Sequence, residues 1–76
     1  MNVLALIEAG AQQLTQAGVA FGHGTTNAFD EAAWLVLWKL GLPLDDLDGA
    51  AQRPVTAAEE QAVNALLAQR IATRKP

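Results

Sequence analysis

The chain contains no cysteine, no tyrosine and no serine, and His23 is its only histidine. Without cysteine neither a disulfide framework nor a thiolate metal site can form, so a domain of this size must hold itself together by packing alone. A reducing compartment is the natural setting. With one imidazole and no serine, cysteine or tyrosine, nucleophilic and general-base catalysis have almost nothing to be built from. A complete enzyme is therefore not expected in these 76 residues. Positive charge is also scarce: five Lys and Arg stand against eight Asp and Glu, a net charge of −3. Direct nucleic-acid binding is not expected, because phosphate neutralisation needs clustered basic groups. Long apolar runs are missing as well. The longest, residues 32 to 38, is far short of the ~20 residues a membrane span needs. No basic residue precedes the first apolar run and Glu8 interrupts it, which argues against a signal peptide. A cytoplasmic domain without membrane contact is the expectation.

What the chain has in abundance is alanine and leucine. Of the apolar residues, 51% of the total, 16 are alanine and 11 are leucine, against seven valines and isoleucines. Straight-chain residues lose little rotamer freedom in a helix, so this balance predicts an all-α fold. A chain of this length buries only about 60% of the surface it exposes when unfolded, so one small core is expected.

Three main helices are predicted. Leu4, Ile7, Ala11 and Leu14 recur at the spacing of one helical face, with Glu8, Gln12, Gln13 and Gln16 off it, giving a helix over about 3 to 17 that Gly18 stops. Gly10 inside it costs on the order of 1 kcal/mol relative to alanine, which points to the close approach of another backbone. A second helix over 27 to 40 opens at Asn27, a good N-cap, with Asp30 and Glu31 near the positive end of its dipole, and ends at Gly41 before Pro43. Its main stripe is Phe29, Ala33, Val36, Leu37 and Leu40. A third helix over 56 to 73 opens at Thr56, where Thr56 and Glu59 have capping-box spacing, and turns Val63, Leu66, Leu67 and Ile71 inward. Between the last two, residues 43 to 48 have the composition of a turn with a possible short helical segment. Its leucines are placed to fold back on the core.

Charge is unevenly spread. The last seven residues carry Arg70, Arg74 and Lys75 and no acid, which fits the negative end of the last helix dipole. No helix stop follows Ile71, and the expectation is a cut just after a helix, with a longer protein beyond it.

Few residues suggest chemistry. Gly22-His23-Gly24 lacks the spacing and the Lys-Ser/Thr pair of a phosphate loop and follows no strand, so it reads as a tight turn before a helix. Asp45, Asp46 and Asp48 lack the pattern of a calcium loop and read as a solvated turn. No metal site is expected. Trp34 and Trp38 point almost opposite to the main stripe of their helix, which is apolar nearly all round and should be buried on every side. Two readings stay open: either the leucines of the connection cover the tryptophans, or the pair is a docking surface.

The run Phe21-Gly22-His23-Gly24-Thr25-Thr26-Asn27-Ala28-Phe29-Asp30-Glu31-Ala32 resembles the amino-terminal signature of the HemK-type protein glutamine methyltransferases, in the branch that modifies large-subunit ribosomal protein number three. Leu42-Pro43-Leu44 and Arg70-Ile71-Ala72-Thr73-Arg74-Lys75-Pro76 are similar to the segment leading into that family's catalytic domain. Thr26, Ala28 and Phe29 depart from the residues common at those positions, which bears on fine substrate preference. The resemblance implies a whole protein that transfers a methyl group from S-adenosylmethionine to a glutamine side-chain amide of a protein substrate. The cofactor domain and the Asn-Pro-Pro-Tyr motif of the family are expected after residue 76. None of the three asparagines here begins such a motif, so no catalytic, cofactor-binding or metal-binding residue carries over. What the resemblance implies for this chain is a helical substrate-recognition domain, with its own catalytic domain and a basic ribosomal protein as partners. Contact residues would come from His23, Thr25, Asn27, Asp30, Glu31, Trp34 and Trp38. The competing readings are a free-standing acidic helical adaptor and the same domain of a release-factor methyltransferase.

Overall fold

The computed structural model describes residues 1–18 and 27–73. They form four helices: α1 (Val3–Gln16), α2 (Ala28–Leu40), a single turn α3 (Leu47–Ala50) and α4 (Ala57–Thr73). The three long helices match the expected bundle, with α1 packed along α2 and α4 packed against both. The short helical segment falls at 47–50 rather than 43–48, because Asp46 accepts a hydrogen bond from the Gly49 amide at 3.2 Å and sets the start of the turn.

Each long helix begins on a recognisable local device, and α1 and α2 also end on one. The free amides of the α1 first turn are all satisfied: Val3 N donates to Arg53 O (2.9 Å), Leu4 N to Ala51 O (3.1 Å), Ala5 N to the Asn2 side chain (2.8 Å) and Leu6 N to Asn2 O (3.0 Å). Unpaired donors at a helix start would otherwise have to face water. Val55 N donates back to Met1 O at 2.9 Å, so the first residues are stitched to the segment leading into α4. After α1, Gly18 takes φ +68°. α2 closes on Gly41 at φ +71°, with Gly41 N donating to Trp38 O (3.2 Å) and Leu42 N to Leu37 O (2.9 Å). This is the paired bonding of a Schellman end, and glycine adopts its left-handed residue without a Cβ clash. α4 opens on the predicted capping box: Glu59 N donates to Thr56 Oγ1 at 3.1 Å, and Thr56 N donates to Glu59 Oε1 at 3.0 Å.

The core joins Val3, Leu6, Ile7 and Leu14 of α1 to Ala32, Leu35, Val36 and Leu37 of α2, Ala50 of α3, and Val63 and Leu67 of α4. Two predicted faces are turned about their axes. In α1 the fully buried line is Val3, Leu6, Ile7, Gly10 and Leu14, and Leu4 and Ala11 are only half-buried. In α2, Ala32 and Leu35 are buried while Phe29 is exposed and Ala33 and Leu40 lie at the margin. α2 must serve α1 and α4 together, and the arc that meets both includes Glu31. Spacing alone does not choose among the arcs of a helix that is apolar nearly all round. In α4 Val63 and Leu67 are buried and Leu66 and Ile71 half-buried, close to expectation.

The close approach at Gly10 is to side chains, not to backbone as expected from its sequence position. A Cβ there would stand 3.2 Å from Leu67 Cδ1 and 3.5 Å from Ala32 Cβ. Gly10 is thus where all three long helices meet.

Candidate functional site

α2 and its N-cap carry five of the seven candidate contact residues and use them differently. Asn27 is its N-cap, with the side-chain oxygen accepting from the Asp30 amide at 2.8 Å and Nδ2 donating to Asp30 Oδ2 at 3.4 Å. Both residues are exposed, and both are tied to starting the helix. Glu31, one residue on, is the buried acid of the domain. Arg70 Nη2 donates to Glu31 Oε1 at 3.1 Å, and Arg70 Nε lies 2.7 Å from Oε2. This bidentate contact couples α2 to the end of α4, and Arg70 belongs to the interior as well as to the basic end of the chain. His23 and Thr25 lie outside the described residues, as do the glycine turn around them and Arg74 and Lys75.

Trp34 and Trp38 remain at the surface, 48% and 53% exposed. Of the two readings open for them, coverage by the connecting leucines is not what the fold shows. Leu42 and Leu47 pack toward the core, and Leu44 is itself exposed. The two indoles stack on each other, centroids 5.9 Å apart and planes within 2° of parallel. An offset parallel stack is a favourable arrangement for aromatic quadrupoles. Beside Trp34 runs a groove of about 310 Å³, lined by Phe29, Asp30, Ala33, Leu37, Leu44 and Leu47 as well. The tryptophans, Phe29 and Leu44 make a joined apolar surface of the kind that soluble domains seldom leave exposed without a partner.

The electrostatics around this surface are one-sided. Among the described residues the ion pairs are Arg53 with Glu59, at 2.9 Å, and Arg70 with Glu31. Six of the eight acids, namely Glu8, Asp30, Asp45, Asp46, Asp48 and Glu60, have no ion-pair partner among the described residues, and Lys39 is the remaining described basic side chain. Asp30 lines the groove, and Asp45, Asp46 and Asp48 flank Leu44 and Leu47 in the chain. The hydrogen-bonded Arg53 guanidinium, and after it the Thr56 amide, hold the Glu59 carboxyl below its ordinary value of 4.5. Among the described residues no group of three or more His, Asp or Glu is placed to hold a metal ion, and no helix is long and apolar enough to cross a membrane.

Two features escaped sequence reasoning. The Glu31–Arg70 pair joins residues far apart in the chain, and no local pattern announces it. Asn2 as the α1 cap was legible, since asparagine directly before an apolar-periodic run is a standard helix start.

No family model and no solved structure matches the chain. Among curated proteins it is similar to several named ribosomal protein uL3 glutamine methyltransferase. The one from Burkholderia pseudomallei is 42% identical over 71 residues, 93% of this chain and 23% of that protein. The one from Neisseria meningitidis serogroup B is 42% identical over 64 residues, 84% of this chain and 21% of the relative. The one from Xylella fastidiosa strain Temecula1 is 39% identical over 75 residues, 99% of this chain and 24% of the relative. The match is nearly complete on this side and partial on the other, so the chain spans less than a quarter of the length of these relatives. By sequence, the chain is a homologue of one segment of the ribosomal protein uL3 glutamine methyltransferases.

Proposed function

We propose that this chain is the substrate-docking domain of a cytoplasmic protein glutamine methyltransferase that acts on a large-subunit ribosomal protein. The catalytic domain, with S-adenosylmethionine as methyl donor, would lie after residue 76. The observation that carries the reading is the similarity over almost the whole chain to proteins of that name. The composition supports it: a segment without serine, cysteine or tyrosine has a recognition role open to it more readily than a chemical one. So does the surface, which sets an exposed aromatic pair beside a groove lined by Asp30, in a chain where six of the eight acids lie outside the ion pairs found among the described residues. An acidic surface speeds encounter with a basic partner and orients it. In this reading Trp34, Trp38 and Asp30 touch the partner, and Asn27 and Glu31 shape the helix that presents them. His23 and Thr25 remain candidate contacts in the segment just before it.

The test compares methylation of the ribosomal protein by the full-length enzyme with and without residues 1–76. Removing the domain should raise KM for the protein substrate and flatten its salt dependence, with S-adenosylmethionine binding unchanged. An unaltered KM and salt dependence would overturn the docking role. Failure of the intact protein to methylate the ribosomal protein at all would overturn the enzymatic reading itself.

A further inference from the structure

Charge and shape at the tryptophan surface define more than a general docking face. The groove beside Trp34 is apolar along its walls, through Phe29, Ala33, Leu37, Leu44 and Leu47, and has Asp30 as its acid. Asp45 and Asp46 stand next to Leu44 and Leu47 in the chain and are both exposed. The same surface thus offers indole faces, an apolar groove and carboxylates outside the ion pairs found among the described residues. Tryptophan has the best aromatic face for a cation, and guanidinium groups use such faces most often. Carboxylates nearby then fix the fork of the same group by charge-assisted hydrogen bonds. An acidic or purely apolar occupant would leave these carboxylates repelled or unpaired.

Resting on the docking role proposed above, we infer that the groove between Trp34 and Leu44 takes an arginine-bearing, otherwise apolar segment of the protein substrate. The arginine lies against the Trp34–Trp38 stack within reach of Asp30 and Asp45, and an apolar neighbour of that arginine fills the channel between Phe29 and Leu47. Charge complementarity selects this occupant. Excluding the four residues engaged in the two described ion pairs, the described residues carry six acids and one lysine.

The two tryptophans are the only ones in the chain, so their emission reports on the site directly. The experiment titrates the 76-residue chain with a short peptide alternating arginine and leucine, and with its counterpart carrying glutamate for arginine. The arginine peptide should shift the emission to saturation and lose affinity as salt rises, and the glutamate peptide should leave it unchanged. Trp34→Ala, read through Trp38, should weaken the arginine peptide by at least about fivefold, as expected for a central aromatic anchor. Trp34→Phe should recover part of that loss, and Asp30→Asn combined with Asp45→Asn should weaken binding and flatten its salt dependence.

An equal response to both peptides overturns the inference, as does unchanged affinity in the tryptophan and aspartate variants. Emission that depends on protein concentration without peptide, together with a dimer in sedimentation, would assign the face to a second copy. A tryptophan variant of the full-length enzyme that melts earlier but keeps its KM would assign it to the catalytic domain. If deleting residues 1–76 raises KM and these variants do not, the groove is wrong and the docking role stands. If the deletion leaves KM unchanged, the docking role itself fails.

Discussion

Glu31 of α2 and Arg70 of α4, 39 positions apart in the chain, meet through two contacts, Nη2 to Oε1 at 3.1 Å and Nε to Oε2 at 2.7 Å. Their side chains are 9% and 13% exposed, so the pair is largely out of water. Such a pair adds little over apolar side chains of similar volume, but loss of Arg70 strands the Glu31 carboxylate.

Arg70→Leu should therefore destabilise the chain by about 2–3 kcal/mol, somewhat below the cost for a fully buried pair, and Glu31→Leu by less. The double replacement should cost less than Arg70→Leu alone. Chemical denaturation of the three variants measures this. A double variant whose loss equals the sum of the two singles would show that the pair is not coupled.

At Gly10 two effects of similar size oppose each other. Alanine gains about 1 kcal/mol in helix propensity. Its Cβ would sit 3.2 Å from Leu67 Cδ1, in a core where Leu67 has no exposed surface to move toward. Crowding of that kind costs about 1–3 kcal/mol. Gly10→Ala should be destabilising by up to about 2 kcal/mol once the helix gain is subtracted. Gly10→Val, with more bulk against both Leu67 and Ala32, should be far worse. A melting temperature raised by the alanine would mean that Leu67 shifts freely.

The start of α4 gives a pH dependence with a definite sign. Arg53 and the Thr56 amide hold the Glu59 carboxyl below its ordinary value of 4.5 in the folded chain. The unfolded chain thus takes up this proton first as pH falls. The contribution of Glu59 is present above pH 4.5 and is lost as pH drops through the lower folded value. Between pH 5 and pH 3 the native chain should lose stability more steeply than Glu59→Gln, a comparison made by urea denaturation at each pH. Parallel curves would rule out this contribution. Thr56→Ala, which removes the other half of the box, should cost about 1 kcal/mol at neutral pH.

The exposed tryptophans should matter little to folding. Trp34→Ala removes a half-exposed ring and its stack with Trp38, a loss of about 1 kcal/mol, whereas Leu67→Ala opens the core and should cost about 3 kcal/mol. Thermal melts of the 76-residue chain separate the two. A Trp34→Ala loss as large as that of Leu67→Ala would place the indole in the core energetically and undercut its role as a contact surface.

The chain itself determined its helices and their limits. Asn27, Thr56 with Glu59, Gly18 and Gly41 act on groups within a few residues, so their consequences are local and readable in order. The resemblance to glutamine methyltransferases was equally legible, carried by the residues from Phe21 to Ala32 and matched by relatives over most of the chain. Which arc of α2 faces inward was not, because a helix apolar nearly all round offers several, and only the joint packing of α1 and α4 selects the one holding Ala32, Leu35 and Glu31. Tertiary packing also brought Arg70 to Glu31, set Gly10 against Leu67, and left Trp34 and Trp38 half-exposed. These are contacts between residues distant in the chain, fixed by volume and charge in three dimensions, for which no spacing in one dimension is a sufficient sign.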